Sequence, residues 1–260
     1  FVLDVLEGSY TVSVRAADYY SKTVNVTVPG NGAADASVAL KPFIGFPGEI
    51  AYDDGTAENA RAFVAADNAW AVRMTPEQAT AQVTGASFRF WNSEWPVPGG
   101  TAFQYAVYDA SGANGAPGRL LAGPFEGTAL RNDQWTSVEF PEPVITSGDF
   151  YIVYVQSVAG TSAPGLATDE NGTNAGRSWQ RVSGVWDTAP AEEGNYMIRA
   201  VVRYPVNAPV LTAPSNTYTN KTTFTVSGTS PANGAQIKIY NGKDVAGTTT
   251  VTNGTFKFDA

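Results

Sequence analysis

Phe150-Tyr151-Ile152-Val153-Tyr154-Val155 is the stretch whose reading decides the fold. All six residues are aromatic or β-branched, the types that fit a pleated strand. The run has no polar position to mark a wet face, so it reads as a central strand covered on both sides. Neighbouring segments keep the two-residue period of strands: Ala86/Phe88/Phe90, then Phe103/Tyr105/Val107. In the stretch from Tyr196 to Tyr204, Ile198, Ala200 and Val202 share one face. Arg199 and Arg203 fall on the other, which is expected to be solvated. Long Gly- and Pro-rich loops between these strands point to a jelly-roll-like β-sandwich. One helical turn is expected at Thr75-Pro76-Glu77-Gln78, where an N-cap residue, a proline and a glutamine make a capping-box arrangement.

Outward from this centre the chain changes character twice. Residues 43–48, with two glycines and a proline, and 205–209, with two prolines, read as linkers. They set off a first module at 1–42, a central one at 49–204 and a last one at 210–260. In the first, Tyr10/Val12/Val14 and Val24/Val26/Val28 alternate as strands, and Pro29-Gly30-Asn31-Gly32 turns the chain toward a further strand at Val38 and Leu40. In the last, Thr223–Val226, Ile237–Tyr240 and Gly254–Phe258 read as strands, with hairpin signals at Asn241-Gly242 and Asn253-Gly254. Phe1-Val2-Leu3-Asp4-Val5 and Phe256-Lys257-Phe258-Asp259-Ala260 both read as mid-strand, so the flanking modules are expected to be partial. The fold class is therefore all-β, as tandem sandwiches with immunoglobulin-like or transthyretin-like pieces at either end.

Composition narrows the function. Among 260 residues there is no His and no Cys. Without His these residues can build no Ser-His-Asp triad, and without Cys no thiolate nucleophile or disulfide. The formal net charge of −8 opposes binding to nucleic acid or to an anionic membrane. No apolar stretch reaches the ~20 residues of a membrane helix.

Three stretches carry a family resemblance. Leu6-Glu7-Gly8-Ser9-Tyr10-Thr11-Val12-Ser13-Val14 with Ala16-Ala17-Asp18-Tyr19-Tyr20 resembles carboxypeptidase regulatory-like domains, although Asp18-Tyr19 stands where that family has Gly-Tyr. Ala51-Tyr52-Asp53-Asp54-Gly55-Thr56-Ala57-Glu58-Asn59, Gly148-Asp149-Phe150-Tyr151-Ile152 and Gly176-Arg177-Ser178-Trp179 resemble an accessory domain of extracellular subtilisin-type proteases. Ala208-Pro209-Val210-Leu211-Thr212-Ala213-Pro214, Thr219-Asn220-Lys221 and Val226-Ser227-Gly228-Thr229 resemble bacterial immunoglobulin-like repeats. The order of the three is similar to the region after the catalytic domain in bacillopeptidase F-type subtilisin-like serine proteases. That resemblance implies a parent endopeptidase whose triad lies upstream, and a secreted or cell-surface bacterial location.

Two groups of residues are candidate sites. Asp53, Asp54 and Glu58 surround a glycine turn and offer hard oxygen ligands for a structural Ca2+; the plainer reading is a capped turn. Asp169-Glu170-Asn171-Gly172-Thr173-Asn174 has the look of a calcium loop but places Asn174 and Gln180 where an EF-hand needs Gly and Glu, so it reads as a solvated loop. Trp91, Trp95, Trp179 and Trp186 lie in or near loops, where exposed rings can stack on sugars or anchor a protein, or else close the ends of a sandwich. The expected role is non-catalytic: spacing, surface attachment or protein-substrate binding beside a protease catalytic domain, with extracellular protein or cell wall as partner. A carbohydrate-binding module and a purely structural stalk or adhesin segment are the alternatives.

Overall fold

The strand Phe150–Gln156 is buried at every position. It is paired antiparallel on one side with Asn68–Met74 and on the other with Ala102–Asp109, so Tyr154 sits opposite both Trp70 and Tyr105. The six-stranded sheet built on it runs Val185–Thr188, Ser178–Val182, Asn68–Met74, Phe150–Gln156, Ala102–Asp109, Leu120–Thr128. A four-stranded sheet, Gly45–Ile50, Ile198–Pro205, Thr80–Arg89, Trp135–Ser147, packs across its inner face. A three-stranded sheet of Asn195–Tyr196, Leu166–Asp169 and Asn59–Arg61 completes this body. The computed structural model describes residues 2–16, 19–43, 45–206, 208–212 and 223–259. Ala17 and Asp18 of the first motif lie outside the described residues, as do Ala213, Pro214, Thr219, Asn220 and Lys221 of the last.

The two larger sheets meet through aromatic rings. Phe88 lies 5.3 Å from Phe103, and Phe90 lies 4.8 Å from Phe103 and 5.3 Å from Tyr154, the last edge to face. Such pairs add about 0.5–1.5 kcal/mol each beyond their area. The Tyr105 hydroxyl crosses the layer to the Glu139 carbonyl at 3.0 Å, which satisfies a polar tip inside an apolar core. On the opposite face of the same central strand, Tyr151, Val153 and Val155 pack with Ala69, Ala71, Ala106 and Trp179 in a second core of small side chains. Covering on both faces is what the unbroken apolar run required.

The described chain divides into two compact units, Phe1–Phe43 with Pro47–Tyr204, and Ile44–Phe46 with Pro205–Ala260. In the first, Gly8–Val14 pairs with Lys22–Val28, with Tyr10, Val12, Val24 and Val26 on the better-covered face. In the second, Val210–Leu211, Thr225–Thr229 and Thr255–Asp259 form one sheet and Gln236–Asn241 with Asp244–Thr250 another. The Asn241-Gly242 signal holds as a hairpin between Gln236–Asn241 and Asp244–Thr250. Asn253 and Gly254 take φ of 51° and 74° between the bridged Thr252 and Thr255, a tight turn of two left-handed residues, but the strands it joins belong to different sheets. Among the described residues no helix is long and apolar enough to cross a membrane.

Three expectations are corrected. Val38 and Leu40 are not in a strand; their segment contributes only through a bridge between Tyr19 and Pro42. Residues 43–48 are not a pure linker, because Gly45–Ile50 forms an edge strand. Pro47 is tolerated at an edge, and Gly48 lets the backbone lie against the Tyr204 ring, where a Cβ would fall 2.7 Å from Cε2. Finally, no helical turn forms at Thr75–Gln78. The Thr75 N–H donates to the Tyr52 hydroxyl, the Glu77 N–H to the Tyr204 hydroxyl, and Arg177 occupies the Thr75 hydroxyl, so the capping groups are already engaged.

Burial raises the phenol pKa of Tyr151 to about 12 and that of Tyr154 and Tyr196 further still, the last helped by its bond to the Glu193 carboxylate. These groups stay neutral in the folded state while the unfolded chain ionises near pH ~10. Stability is therefore complete below that pH and is lost above it, by up to about 1.4 kcal/mol per pH unit for each group. The melting temperature is expected to be level from about pH 7 to 9 and to fall steeply beyond about pH 10, with phenolate absorbance rising at the unfolding transition. A level profile through that range would contradict the burial.

Candidate functional site

The two acidic loops, far apart in sequence, come together in space. Asp169, at the end of Leu166–Asp169, is buried and accepts the Asp54 N–H at 3.0 Å, the Gly172 N–H at 3.0 Å and the Asn195 amide at 3.3 Å. Glu58 accepts the Glu170 N–H at 3.0 Å and the Asn171 amide at 2.8 Å. Glu170 in turn pairs with Arg61 at 2.8 Å, and its carboxyl is held below the usual range by Thr168, Arg61 and Asn59, against the cost of burial. The second loop, exposed from 171 to 176, is thus also a hydrogen-bonding partner of the first.

Asp53 faces elsewhere. Its fully buried carboxylate takes a fork from Arg199, with Nη2 to Oδ1 at 2.6 Å and Nε to Oδ2 at 3.1 Å. The same guanidinium reaches Glu49 at 3.2 Å and lies 4.2 Å from the centre of the Trp135 ring. Its hydrogen bonds to the Asp53 carboxylate push the Arg199 pKa up, with burial working against them. Asp54 caps its own turn through the Thr56 N–H at 2.8 Å and hydroxyl at 2.7 Å, which lowers its pKa. A cation shared by Asp53, Asp54 and Glu58 would compete with Arg199 for Asp53. Among the described residues no three metal-ligating side chains converge. Arg199 alternates with apolar residues and was expected in solvent; its side chain is only 20% exposed because Trp135 and the 52–58 loop cover it.

The four tryptophans do not share a surface. Trp179 is 8% exposed and stands edge-on to Tyr151 in the second core, so its ring is committed to packing. Trp186 is half-buried against that core, with Arg181 at 5.5 Å over its ring and Tyr108 beside it. Trp91 is half-buried, and its backbone N–H donates to the Gly165 carbonyl at 2.8 Å. Trp95 is 40% exposed and covers Gly165.

Trp95 belongs to an apolar loop end. Val97 is 66% exposed and Val64 92% exposed, and the loops carrying them both border the segment 160–165. Gly99 N–H bonds the Thr161 carbonyl at 2.8 Å and Gly160 N–H the Val64 carbonyl at 3.1 Å. Arg131 donates to the carbonyls of Asn92 and Pro96 at 3.1 and 2.8 Å, so its charge holds the loop instead of facing solvent. Gln156, the last residue of the central strand and fully buried, accepts the Phe63 N–H and donates to the carbonyls of Phe63, Ala65 and Val158. No sequence motif marks Gln156; a polar residue ending an apolar strand is the signal that could have found it.

Fold and surfaces together define a tandem all-β sandwich chain with two well-ordered loop clusters. No protein-family model matches it. Over 98% of its length the chain is 48% identical to bacillopeptidase F of Bacillus subtilis (strain 168), a bacillopeptidase F-type relationship across almost the whole chain. It spans 18% of that relative's length. Two structures of Cwp84, one of the cysteine protease and lectin-like domains of this surface layer associated protein of Clostridium difficile, align with lower similarity. One covers 53% of this chain and 32% of that one at 19% identity and a TM-score of 0.39. The other, after propeptide cleavage, covers 64% and 42% at 15% identity and 0.46. At those scores neither likeness bears on this chain's fold or role.

Three outcomes follow from the geometry. Replacing Asp53 with Asn leaves a largely covered guanidinium without its counter-charge and is expected to cost about 2 kcal/mol, discounted for the part of Arg199 that water reaches. Melting curves after chelation, with and without millimolar calcium, are expected to superimpose, since Arg199 already holds Asp53. A calcium-dependent rise that disappears in Asp53→Asn would show that the ion displaces that pair. Gln156→Leu strands the loop's buried backbone groups and is expected to cost about 3 kcal/mol by chemical denaturation; a loss under ~1 kcal/mol would mean that water replaces the amide.

Proposed function

We propose that this chain is a non-catalytic accessory region of a secreted, bacillopeptidase F-type serine endopeptidase, and that it holds protein substrate near a catalytic domain elsewhere in the same polypeptide. The apolar loop end carries the reading. Trp95, Val97 and Val64 are exposed on a backbone already fixed by Gln156 and Arg131, so binding an unfolded apolar segment costs little further ordering. The sequence, which lacks His and Cys, supports the non-catalytic half of the proposal. Division into modules at 1–42, 49–204 and 210–260, with a jelly-roll-like winding of the central one, belongs to the same reading and gives the region its work as a spacer. An extracellular or cell-wall setting is part of it as well.

Carbohydrate binding has less support. Sugar platforms use exposed ring faces, and of the four tryptophans Trp95 offers the most surface while Trp179 is in the core.

The test is capture of reduced, carboxymethylated casein on the immobilised chain, beside soluble cell-wall polysaccharide. Saturable casein binding is expected, weakened about tenfold by Trp95→Ala or Val97→Ser, the loss of one modest anchor. Polysaccharide capture lost in Trp95→Ala would replace the proposal with the carbohydrate reading. Capture of neither would leave a structural stalk.

A further inference from the structure

Six Asn-Gly steps occur in the chain, at Asn31, Asn114, Asn171, Asn233, Asn241 and Asn253. Each is a place where the glycine amide nitrogen can attack the asparagine side chain, because glycine has no Cβ to obstruct the approach. The attack requires that nitrogen to be free to lose its proton. In five of the six the fold holds it. Gly32 N–H donates to the Pro29 carbonyl at 3.1 Å, Gly115 to Gly112 at 3.1 Å, and Gly234 to Val251 at 2.9 Å. Gly172 N–H donates to the Asp169 carboxylate at 3.0 Å, and Gly254 to the Asn233 side-chain oxygen at 2.8 Å. Two of the five asparagines are held as well: the Asn171 amide by Glu58 at 2.8 Å and the Asn233 oxygen by Gly254.

Asn241-Gly242 stands apart. It forms the corner of the hairpin in which Asn241 pairs with Asp244, leaving Gly242 and Lys243 as the loop. Among the described residues the Gly242 N–H has no acceptor, and nothing lies within 4 Å of where a Cβ would stand. Asn241 is exposed.

We propose that Asn241 is the site at which this protein spontaneously deamidates and isomerises. Hydroxide removes the Gly242 amide proton, and the nitrogen bonds to Asn241 Cγ. The Cγ–Nδ2 bond breaks and ammonia leaves, giving a five-membered succinimide. Water then opens the ring at either carbonyl and yields aspartate or isoaspartate. Water enters, ammonia departs, and nothing is oxidised or reduced. Isoaspartate routes the main chain through the side-chain carbon, adding one atom between Ile239-Tyr240 and the turn. The ladder from Gln236↔Thr250 to Asn241↔Asp244, already irregular between Ile239 and Tyr240, must slip or bulge further to take in that atom. The hairpin would therefore loosen as the protein ages, and the added negative charge would sit next to Asp244.

The experiment is prolonged incubation of the whole chain at mildly alkaline pH, followed by peptide mapping with mass detection and isoaspartate-specific methylation. Asn241 is expected to convert about tenfold faster than any of the other five, the factor by which breaking one hydrogen bond slows an attack. The same incubation in concentrated urea is expected to bring the six rates close together, since the restraint is the fold. Faster conversion at another Asn-Gly step in the folded protein, or six equal rates with and without urea, would overturn the proposal.

Discussion

Two-sided burial of the strand Phe150–Gln156 is the constraint on which the rest of the central body depends. An extended chain in the middle of a sheet has no intrinsic reason to be dry on both faces. Here one face meets the rings of Phe90, Phe103 and Trp70, and the other meets Trp179 and a floor of alanines. The alanines matter because they leave room for the Trp179 ring, carried by a strand of the same sheet, and for the loop bearing Ala116 to close the outer face. The Tyr154 hydroxyl then needs an acceptor and finds the Pro164 carbonyl at 2.8 Å, which positions the segment next to Trp95.

From this strand the consequences run to both loop clusters. Gln156 ends the strand with an amide that replaces water for the backbone of the 63–65 loop. A buried polar side chain in such a place costs heavily unless its groups are satisfied; here the oxygen accepts one N–H and the two amide hydrogens are shared among three carbonyls. The acidic cluster is organised differently. Its carboxylates are satisfied by backbone N–H groups, by amides and by two arginines, so that a region dense in negative charge holds together through local partners. One cluster presents apolar surface and the other presents satisfied charge.

Much of the fold was legible because strand periodicity is local. Ala86/Phe88/Phe90, Phe103/Tyr105/Val107 and Ile198/Ala200/Val202 are all in strands or directly beside them, and all are buried. What escaped was decided by partners distant in sequence. Gly45–Ile50 carries linker chemistry, yet an edge position and the Tyr204 ring make a strand of it. Thr75-Pro76-Glu77-Gln78 carries helix chemistry, yet Tyr52, Tyr204 and Arg177 take its capping groups first. The Asp53 loop was recognisable as acidic, but its bond to Arg199 is separated from it by 146 positions. Nothing local in Asp169 announces that it closes the Asp54 turn. Trp179 and Trp95 look alike in sequence, and only packing sends one to the core and the other to the surface.

Native-state hydrogen exchange tests the central claim most directly. If Phe150–Gln156 organises the body and Gln156 ties the loop end to it, the amides of this strand open only with global unfolding. The Phe63 amide, although in a loop, should be protected to nearly the same level. Rapid local exchange at Phe63 would contradict the account, as would a central strand that opens below the global unfolding free energy. Either result would mean that the loop end is mobile and that the fold rests on other contacts.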